Sequence, residues 1–380
     1  MRSKRTRCVI LSAGLAALGV LALLTPLGAL HVTAQGAGVM WPLTSDGHSR
    51  FAGWSPDGRT VLINRWGAVV GDENSRLALS ELWAIPLPPD GQEGQGAPAT
   101  RLSENATRPA YSSDGRRLAY LAFAGDGRWQ ARVLDPVAGH ERSWGAADWR
   151  TPPTWVGEAL ALAQDGRVWL SSEGVTSQAA GFPTLPAGAR VHLTADGTRA
   201  AWSDGSHLWA VPHPGAAPRL LASDTQVLSF AWSPDGRRLA YVVATEGPAP
   251  ELWTAAVDGW REPVLLVQGQ AEMFSTPSWS PDGLTLAFSR TPLGAETASA
   301  ADIWLASADG SDLRPLLRND LEESGPVWSP DGRYLAFNRA GDVWLLDVSR
   351  MPPLPPARGG EHISLPPDRE KGRGSGEDFS

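Results

Sequence analysis

After residue 38 the chain alternates short apolar runs with polar turn sequences rich in Gly, Pro, Ser and Asp. The runs combine β-branched with aromatic side chains, as in TVLIN, RLAYL, RLAYV, TLAFS and YLAFN. Such runs are typical of β-strands, and apolar residues at consecutive positions indicate strands that are covered on both faces. No helical periodicity of comparable length follows residue 38, so the pattern predicts an all-β fold.

The strands and turns recur as one repeated unit. An aromatic residue precedes a Ser-Pro-Asp-Gly turn, a short apolar strand follows, and the next strand is centred on Trp. The clearest copies begin at Trp54, Trp232, Trp279 and Trp328, a near copy begins at Tyr111, and degenerate copies begin at Trp155 and Leu193. The tryptophans of the next strands are Trp83, Trp129, Trp169, Trp209, Trp253, Trp304 and Trp344. A period of about 43 residues predicts seven four-stranded blades of a β-propeller.

The turn sequence has a conformational explanation. Pro presets φ for the first corner of a type I turn, Asp can hydrogen-bond its own backbone, and Gly accepts the left-handed conformation that follows. The repeated aspartates are therefore interpreted as turn residues rather than as a ring of catalytic carboxylates. They are Asp57, Asp114, Asp196, Asp235, Asp282 and Asp331.

Closure of the ring requires one more strand. The last unit has no obvious outer strand of its own, whereas Val39 to Thr44 precedes the first unit and has no blade. We expect this N-terminal segment to pair with the last blade, because a closed ring leaves no open sheet edge. The alternative closing strand is His362 to Leu365. Residues 351–380 form a charged, Pro/Gly-rich tail that is predicted to be disordered.

These motifs resemble the TolB-like β-propeller repeat, which occurs in the periplasmic protein TolB and in the propeller domains of prolyl oligopeptidase-type enzymes. The resemblance rests on the WSPDG, LAF and Trp-centred strand series and covers roughly residues 39–350. It implies propeller architecture, but propellers serve many functions. TolB resembles a six-bladed propeller preceded by an α/β domain, for which this chain has no room. A TolB-type role in an envelope complex is thus an analogy.

The first 34 residues are predicted to direct export. Residues 1–7 are basic, Cys8 to Leu24 is a run of apolar and small residues, and Val32-Thr33-Ala34 resembles a cleavage site. This is the plan of a secretory signal peptide. The alternative is an uncleaved anchor, since continuation to Leu30 gives a stretch long enough to span a bilayer. Either reading makes residues 35–350 a propeller that is periplasmic, extracellular or membrane-anchored and faces outside.

Composition excludes several functions. The net charge of -8 argues against nucleic-acid binding. The single cysteine, Cys8, lies in the leader, and no G-x-S-x-G nucleophile elbow occurs. Only His48, His192 and His207 are expected near one face, without metal-ligand spacing. We therefore predict no catalytic residues, no metal and no cofactor.

A candidate binding surface comes from three arginines that end second strands. Arg65, Arg290 and Arg339 belong to units one, six and seven, which ring closure makes neighbours. They are expected at the rim opposite the Ser-Pro-Asp-Gly turns, together with the loops 272–274 and 320–323. Such a mixed surface could bind a protein or an anionic ligand. The alternative is that the arginines form salt bridges between blades.

The complete predicted binding set is Arg65, Arg290, Arg339, Glu272, Phe274, Glu322, Glu323 and Trp149. Tryptophans outside the sevenfold series are also candidates for partner contact, because exposed Trp is enriched in interaction hot spots. These are Trp41, Trp66, Trp144, Trp149 and Trp260. The sequence favours a monomeric, non-catalytic scaffold that binds a protein partner in the cell envelope. The alternatives are a propeller that binds a carbohydrate or small anionic ligand, and a propeller lyase or hydrolase.

Overall fold

A computed structural model describes residues 32–33, 39–70, 77–88, 98–124, 128–173, 175–244, 249–259, 261–293, 301–319 and 321–349. These residues form β-strands joined by turns, arranged as seven antiparallel sheets. Within these ranges no helix is long and apolar enough to cross a membrane. The predicted leader, the tail and the alternative closing strand His362 to Leu365 lie outside the described residues.

Each sheet is one blade, numbered here in chain order. Blade 1 contains β3 (Ser49–Trp54), β4 (Thr60–Val70), β5 (Leu77–Pro86) and β6 (Thr100–Ser103); blade 2 contains β7 (Ala106–Tyr111), β8 (Leu118–Phe123), β9 (Trp129–Leu134) and β10 (Glu141–Ala147); blade 3 contains β11 (Thr154–Val156), β12 (Ala159–Gln164), β13 (Arg167–Ser172) and β14 (Val175–Gln178). Blade 4 contains β15 (Arg190–Leu193), β16 (Ala200–Ser203), β17 (Leu208–Val211) and β18 (Arg219–Ala222); blade 5 contains β19 (Gln226–Trp232), β20 (Arg238–Ala244), β21 (Pro250–Ala256) and β22 (Val264–Gln268).

The last two blades differ slightly from this plan. In blade 6 the first strand is interrupted, so that it contains β23 (Glu272–Phe274), β24 (Ser278–Trp279), β25 (Thr285–Pro292), β26 (Asp302–Ser307) and β27 (Leu313–Leu317). Blade 7 contains β28 (Glu323–Trp328), β29 (Tyr334–Arg339), β30 (Asp342–Asp347) and, as its outer strand, β2 (Val39–Pro42), with β1 (Val32–Thr33) beyond it. The predicted seven-bladed, all-β propeller is confirmed.

The N-terminal strand closes the ring, as predicted. Strand β2 pairs antiparallel with β30, placing Met40 opposite Leu346 and Pro42 opposite Trp344. The turn that follows β2 is also held by blade 7, because Asp342 Oδ1 accepts a hydrogen bond from Thr44 Oγ1 at 2.9 Å. Both ends of the propeller segment therefore meet in one sheet.

The Ser-Pro-Asp-Gly turns are built by their own side chains. In blade 5, Ser233 Oγ donates to Asp235 Oδ1 at 2.6 Å, and the Arg237 amide donates to the same oxygen at 3.1 Å. The Ser233 hydroxyl in turn accepts from the Arg238 amide at 2.9 Å. Equivalent Asp contacts occur at Asp57, Asp114, Asp196, Asp282 and Asp331. The interpretation of these aspartates as turn residues is confirmed.

The core lies between the blades. Seven apolar clusters occupy the seven blade interfaces, and the second strands are buried along most of their length. Both faces of these strands are covered, which explains their continuous apolar sequence. The Trp that opens a repeat also links blades, since Trp232 Nε1 donates to the His192 carbonyl at 3.0 Å and Trp279 Nε1 to the Ala231 carbonyl at 3.1 Å.

Candidate binding face

One end of every blade carries the start of the first strand and the end of the second strand. We call this end the upper face; the Ser-Pro-Asp-Gly turns lie at the opposite end. Register places Glu323 opposite Arg339, Phe274 opposite Arg290 and Ser49 opposite Arg65. The three predicted arginines thus end their strands at the upper face of the adjacent blades 6, 7 and 1.

Each arginine faces a carboxylate. Arg290 binds Glu272 through two nitrogens, with Nε to Oε2 at 3.0 Å. Arg339 Nε lies 3.8 Å from Glu323 Oε1, and Arg65 Nη2 lies 2.6 Å from Asp46 Oδ2. Asp46 was missed by sequence reasoning, because it lies in the turn after the closing strand rather than in a repeat.

Each arginine also stacks on the tryptophan of the third strand in its own blade. The guanidinium carbon is 4.7 Å from the Trp83 ring centroid for Arg65, and the corresponding distance is 4.4 Å both to Trp304 in blade 6 and to Trp344 in blade 7. Each guanidinium therefore has a cation–π contact and a carboxylate partner; for Arg65 that partner lies in the turn after β2, which is held by Asp342 of blade 7. The pairs of Arg290 and Arg339 lie inside single blades, so the expected bridge between blades is not what these two arginines form.

The residue before each arginine makes the inter-blade contact. The Phe51 amide donates to Asn338 Oδ1 at 2.8 Å, and Asn64 Nδ2 donates to the Ala106 carbonyl at 2.8 Å. Side chains alternate along a strand, so consecutive residues point to opposite faces of the sheet. The Asn faces the next blade and the Arg faces its own Trp.

Burial separates the predicted binding residues into two groups. Glu323 is fully buried, and burial raises the pKa of its carboxyl even though Asn319 donates to it. Phe274 is buried against Phe288, with ring centroids 5.4 Å apart. Glu322 is exposed, and Trp149 is 49% exposed. The binding role of all eight residues stays a prediction.

Asp46, the partner of Arg65, has a partly exposed side chain. Burial opposes its ionisation, but hydrogen bonds from the His48 amide and the Ser49 hydroxyl, with the charge of Arg65, hold the pKa of the Asp46 carboxyl below its ordinary value. The Asp46 carboxylate is therefore ionised at neutral pH.

Four exposed apolar side chains lie on the upper face of blades 6, 7 and 1, and we call them the apolar rim. They are Trp66, Met273, Leu293 and Leu321. Trp66 is 44% exposed and Met273 is 53% exposed. Of the other tryptophans outside the series, Trp41 and Trp144 are buried, and Trp260 lies outside the described residues. The members of the apolar rim lie at the same end of the blades as the arginine pairs; its Met and Leu members have no sequence signal, because loops and strand ends show no periodicity.

A second polar group lies nearer the axis. First strands of neighbouring blades contact one another, as β3 with β7 and β7 with β11, and so lie nearest the axis. Arg190, which begins β15, donates to the Val227 carbonyl at 2.6 Å and to the Leu228 carbonyl at 2.9 Å in blade 5. His192 packs against Phe230 with ring centroids 4.5 Å apart and the rings tilted by 42°. Burial, with the charges of Arg108 and Arg190, lowers the pKa of His192 to about 4, so its imidazole is neutral at physiological pH.

The other two histidines lie in loops. The His48 carbonyl accepts from the Trp66 amide at 3.0 Å, and His207 stacks on Trp209 at 5.1 Å while its Nδ1 lies 3.2 Å from Asp204. In the described part of the chain no three side chains of His, Cys, Asp or Glu converge as a metal ion would need.

Comparison with known proteins identifies the repeat. Residues 211–347 match a family model described as the TolB beta propeller domain. No curated protein sequence matches the chain. An oligogalacturonate lyase in complex with manganese superposes with a TM-score of 0.59 at 15% identity, covering 86% of this chain and 97% of that one.

Two further structures share the fold. The oligogalacturonate lyase of Vibrio parahaemolyticus has a TM-score of 0.59 at 13% identity, covering 82% of this chain and 94% of its own. An acylaminoacyl peptidase in complex with Z-Gly-Gly-Phe-chloromethyl ketone has a TM-score of 0.54 at 11% identity, covering 79% and 51%. At these identities the likeness shows the fold alone. The resemblance inferred from the repeats is confirmed: the chain is a seven-bladed β-propeller built from TolB-like repeats.

Proposed function

We propose that this protein is an exported, non-catalytic propeller that binds a protein partner in the cell envelope through the upper face of blades 6, 7 and 1. The proposal of export rests on the basic and apolar leader of the sequence. The choice of face rests on the apolar rim.

The apolar rim is the observation that carries the proposal. Trp66, Met273, Leu293 and Leu321 are each more than 40% exposed. All four emerge from loops or strand ends at the same face of three consecutive blades. Single exposed apolar residues are normal, but several on one face together with polar groups favour a protein interaction site.

The arginine pairs give this surface its second property. Arg290 and Glu272 have side chains only 12% and 16% exposed, so their geometry is set before any partner binds. A preformed polar group costs less entropy on association than a mobile one. The exposed Glu322 and the partly exposed Arg65–Asp46 pair supply polar contacts at the edge of the apolar rim.

Catalysis is the competing function. Oligogalacturonate lyases share the fold, but their identities of 15% and 13% do not carry their activity to this chain. The test therefore includes an assay with oligogalacturonate, in which β-elimination produces an unsaturated sugar that absorbs ultraviolet light.

The experiment is a crosslinked pull-down from native envelopes with three forms of the protein. The first is wild type, and the second carries Trp66→Ala, Met273→Ala and Leu321→Ala in the apolar rim. The third is a matched control with Val137→Ala and Leu284→Ala, which are 95% and 63% exposed at the opposite face. All five substitutions are at exposed positions, so each form is expected to fold.

We expect a stoichiometric protein that wild type and the control recover and the rim variant does not. Recovery that is equal with all three forms, or recovery of no protein, contradicts the proposal. Conversion of oligogalacturonate by the purified wild type contradicts the non-catalytic part.

A further inference from the structure

Arg108 has a backbone conformation that is unusual for its residue type. Its φ is 52°, in the left-handed region, and it lies within β7 at the irregularity between Thr107 and Ala110. The other non-glycine residues with positive φ in the described chain lie in turns. Left-handed backbone costs an L-residue with a Cβ roughly 1 kcal/mol or more.

Blade 7 has a glycine with positive φ at the equivalent position. Arg108 and Gly325 both lie three residues before the aromatic that opens the repeat, and both precede a proline. Gly325 has a φ of 61°, at the equivalent irregularity of β28. Because glycine adopts this conformation without steric cost, the fold itself does not call for arginine here.

The charge of Arg108 is also poorly compensated. Arg108 is half-buried, and it has no hydrogen bond or ion pair with any residue that the structure describes. Burial and the charge of Arg190 lower its pKa, and Asp148 offsets this only in part. The Asp148 carboxylate is already engaged by the Arg150 amide at 2.9 Å and by Arg150 Nη1 at 3.4 Å.

Two groups close to the segment that leads to Arg190 suit the same kind of ligand. Arg150 lies over the Trp149 ring at 5.5 Å, and its Nη1 is 3.6 Å from the position that a Cβ on Gly188 would occupy, two residues before Arg190. Trp149 is 49% exposed. Arg150 and Trp149 therefore add a guanidinium group and an exposed aromatic face beside the segment that leads from Gly188 to Arg190.

We propose that Arg108 and Arg190, with Arg150 beside the segment that leads to Arg190, form a binding site at the upper end of the ring axis for the carboxylate or phosphate group of a small ligand. Arginine forks bind both oxyanions through paired N–H donors. Arg190 uses two nitrogens on backbone carbonyls, which fixes its position, whereas Arg108 has no partner among the residues that the structure describes and supplies the donors for a ligand. An oxyanion would relieve the repulsion between the two cations. This site is separate from the apolar rim and does not depend on the proposed function.

Thermal unfolding with defined probes tests the proposal. The probes are sodium glucuronate and inorganic phosphate; glucose, which lacks the carboxylate, and sodium chloride at equal ionic strength are the controls. Arg108→Asn removes the guanidinium and keeps a residue that tolerates left-handed φ. Arg116→Asn is the matched variant, since Arg116 is exposed in the turn at the opposite end of the same blade.

We expect at least one oxyanion to raise the Tm of wild type and of the Arg116 variant by about 3 °C at ten times its Kd, and to leave the Arg108 variant unchanged. Stabilisation by phosphate alone would assign a phosphate ligand, and stabilisation by glucuronate alone a carboxylate ligand. Without a probe, the Arg108 variant should unfold at the wild-type temperature or up to about 2 °C higher.

Two results overturn the proposal. The first is a Tm that neither oxyanion raises above the chloride and glucose controls, or that rises equally in the Arg108 variant. The second is an Arg108 variant that unfolds several degrees below wild type without a probe, since that would make the guanidinium a structural group. Calorimetric titration of the same probes into folded protein checks binding without heating.

Discussion

Removal of one side chain from the closing strand should test how the ring is held together. Met40 is 1% exposed, and it packs in the cluster between blades 6 and 7 with Ile303, Phe337 and Leu346. Truncation of a fully buried Met to Ala costs about 2–5 kcal/mol, because the lost apolar contact and the new cavity both destabilise. We expect Met40→Ala to lower the free energy of unfolding by about 3 kcal/mol.

The chain contains its own control for this substitution. Met273 is 53% exposed, so Met273→Ala removes the same atoms from a position near solvent. We expect it to change the free energy of unfolding by less than about 0.5 kcal/mol. Both values are measured by equilibrium urea denaturation, followed by far-ultraviolet circular dichroism at fixed pH, with the m-values compared.

The difference between the unfolding free energies of the two variants tests whether β2 is buried in blade 7. If Met40→Ala costs no more than Met273→Ala at an unchanged m-value, β2 is not a buried outer strand of blade 7 in solution. The reasoning on ring closure would then be refuted, because the cost follows from burial at that position alone.

Three further predictions concern charged groups. Arg290→Ala should cost about 3 kcal/mol, since it leaves the largely buried Glu272 carboxylate unpaired. Arg101→Ala, at an exposed pair, should leave the stability almost unchanged; urea denaturation measures both. Asp57 accepts from Ser55 Oγ, and chiefly this bond holds the pKa of its carboxyl below the ordinary 3.8. The stability that the ionised Asp57 contributes is present above pH 3.8 and is lost as the pH falls through the lower pKa of the folded state. The destabilisation caused by Asp57→Ala should therefore shrink on acidification, and a destabilisation that is independent of pH would contradict the prediction. The pKa of His192 is lowered from 6.5 to about 4. The stability that the neutral imidazole contributes is therefore fully present above pH 6.5 and is lost as the pH falls towards 4. An NMR titration should find His192 neutral at mildly acidic pH, and His192→Gln should flatten the decline in stability on acidification.

Much of the fold was predictable because it depends on interactions between residues close in sequence, repeated in each unit. The Ser-Pro-Asp-Gly turn satisfies its own hydrogen bonds within a few residues, as the contacts of Ser233 and Asp235 show. The degenerate copies at Trp155 and Leu193 could be placed because they lie at the expected period. Trp155 lies within β11 and Leu193 ends β15, and both strands are the first of their blades. Even closure by Val39–Pro42 followed from counting strands.

The candidate site was predictable only in part. Sequence alone placed Arg65, Arg290 and Arg339 at one rim, since strand order and direction fix which end of a blade a residue occupies. It could not tell that Glu323 and Phe274 are buried, because a short strand start gives too few positions to reveal an inward face.

Sequence by itself thus determined the architecture: the repeat, the strand order and the turn chemistry depend on neighbours in the chain, and the closing strand followed from the count of strands. Tertiary structure decided which polar groups are satisfied. Asp46 meets Arg65, and Arg108 approaches Arg190 without a carboxylate of its own, only after the blades are arranged around the axis. Pairing of charges depends on distances between residues far apart in sequence, and those distances exist only in the closed ring.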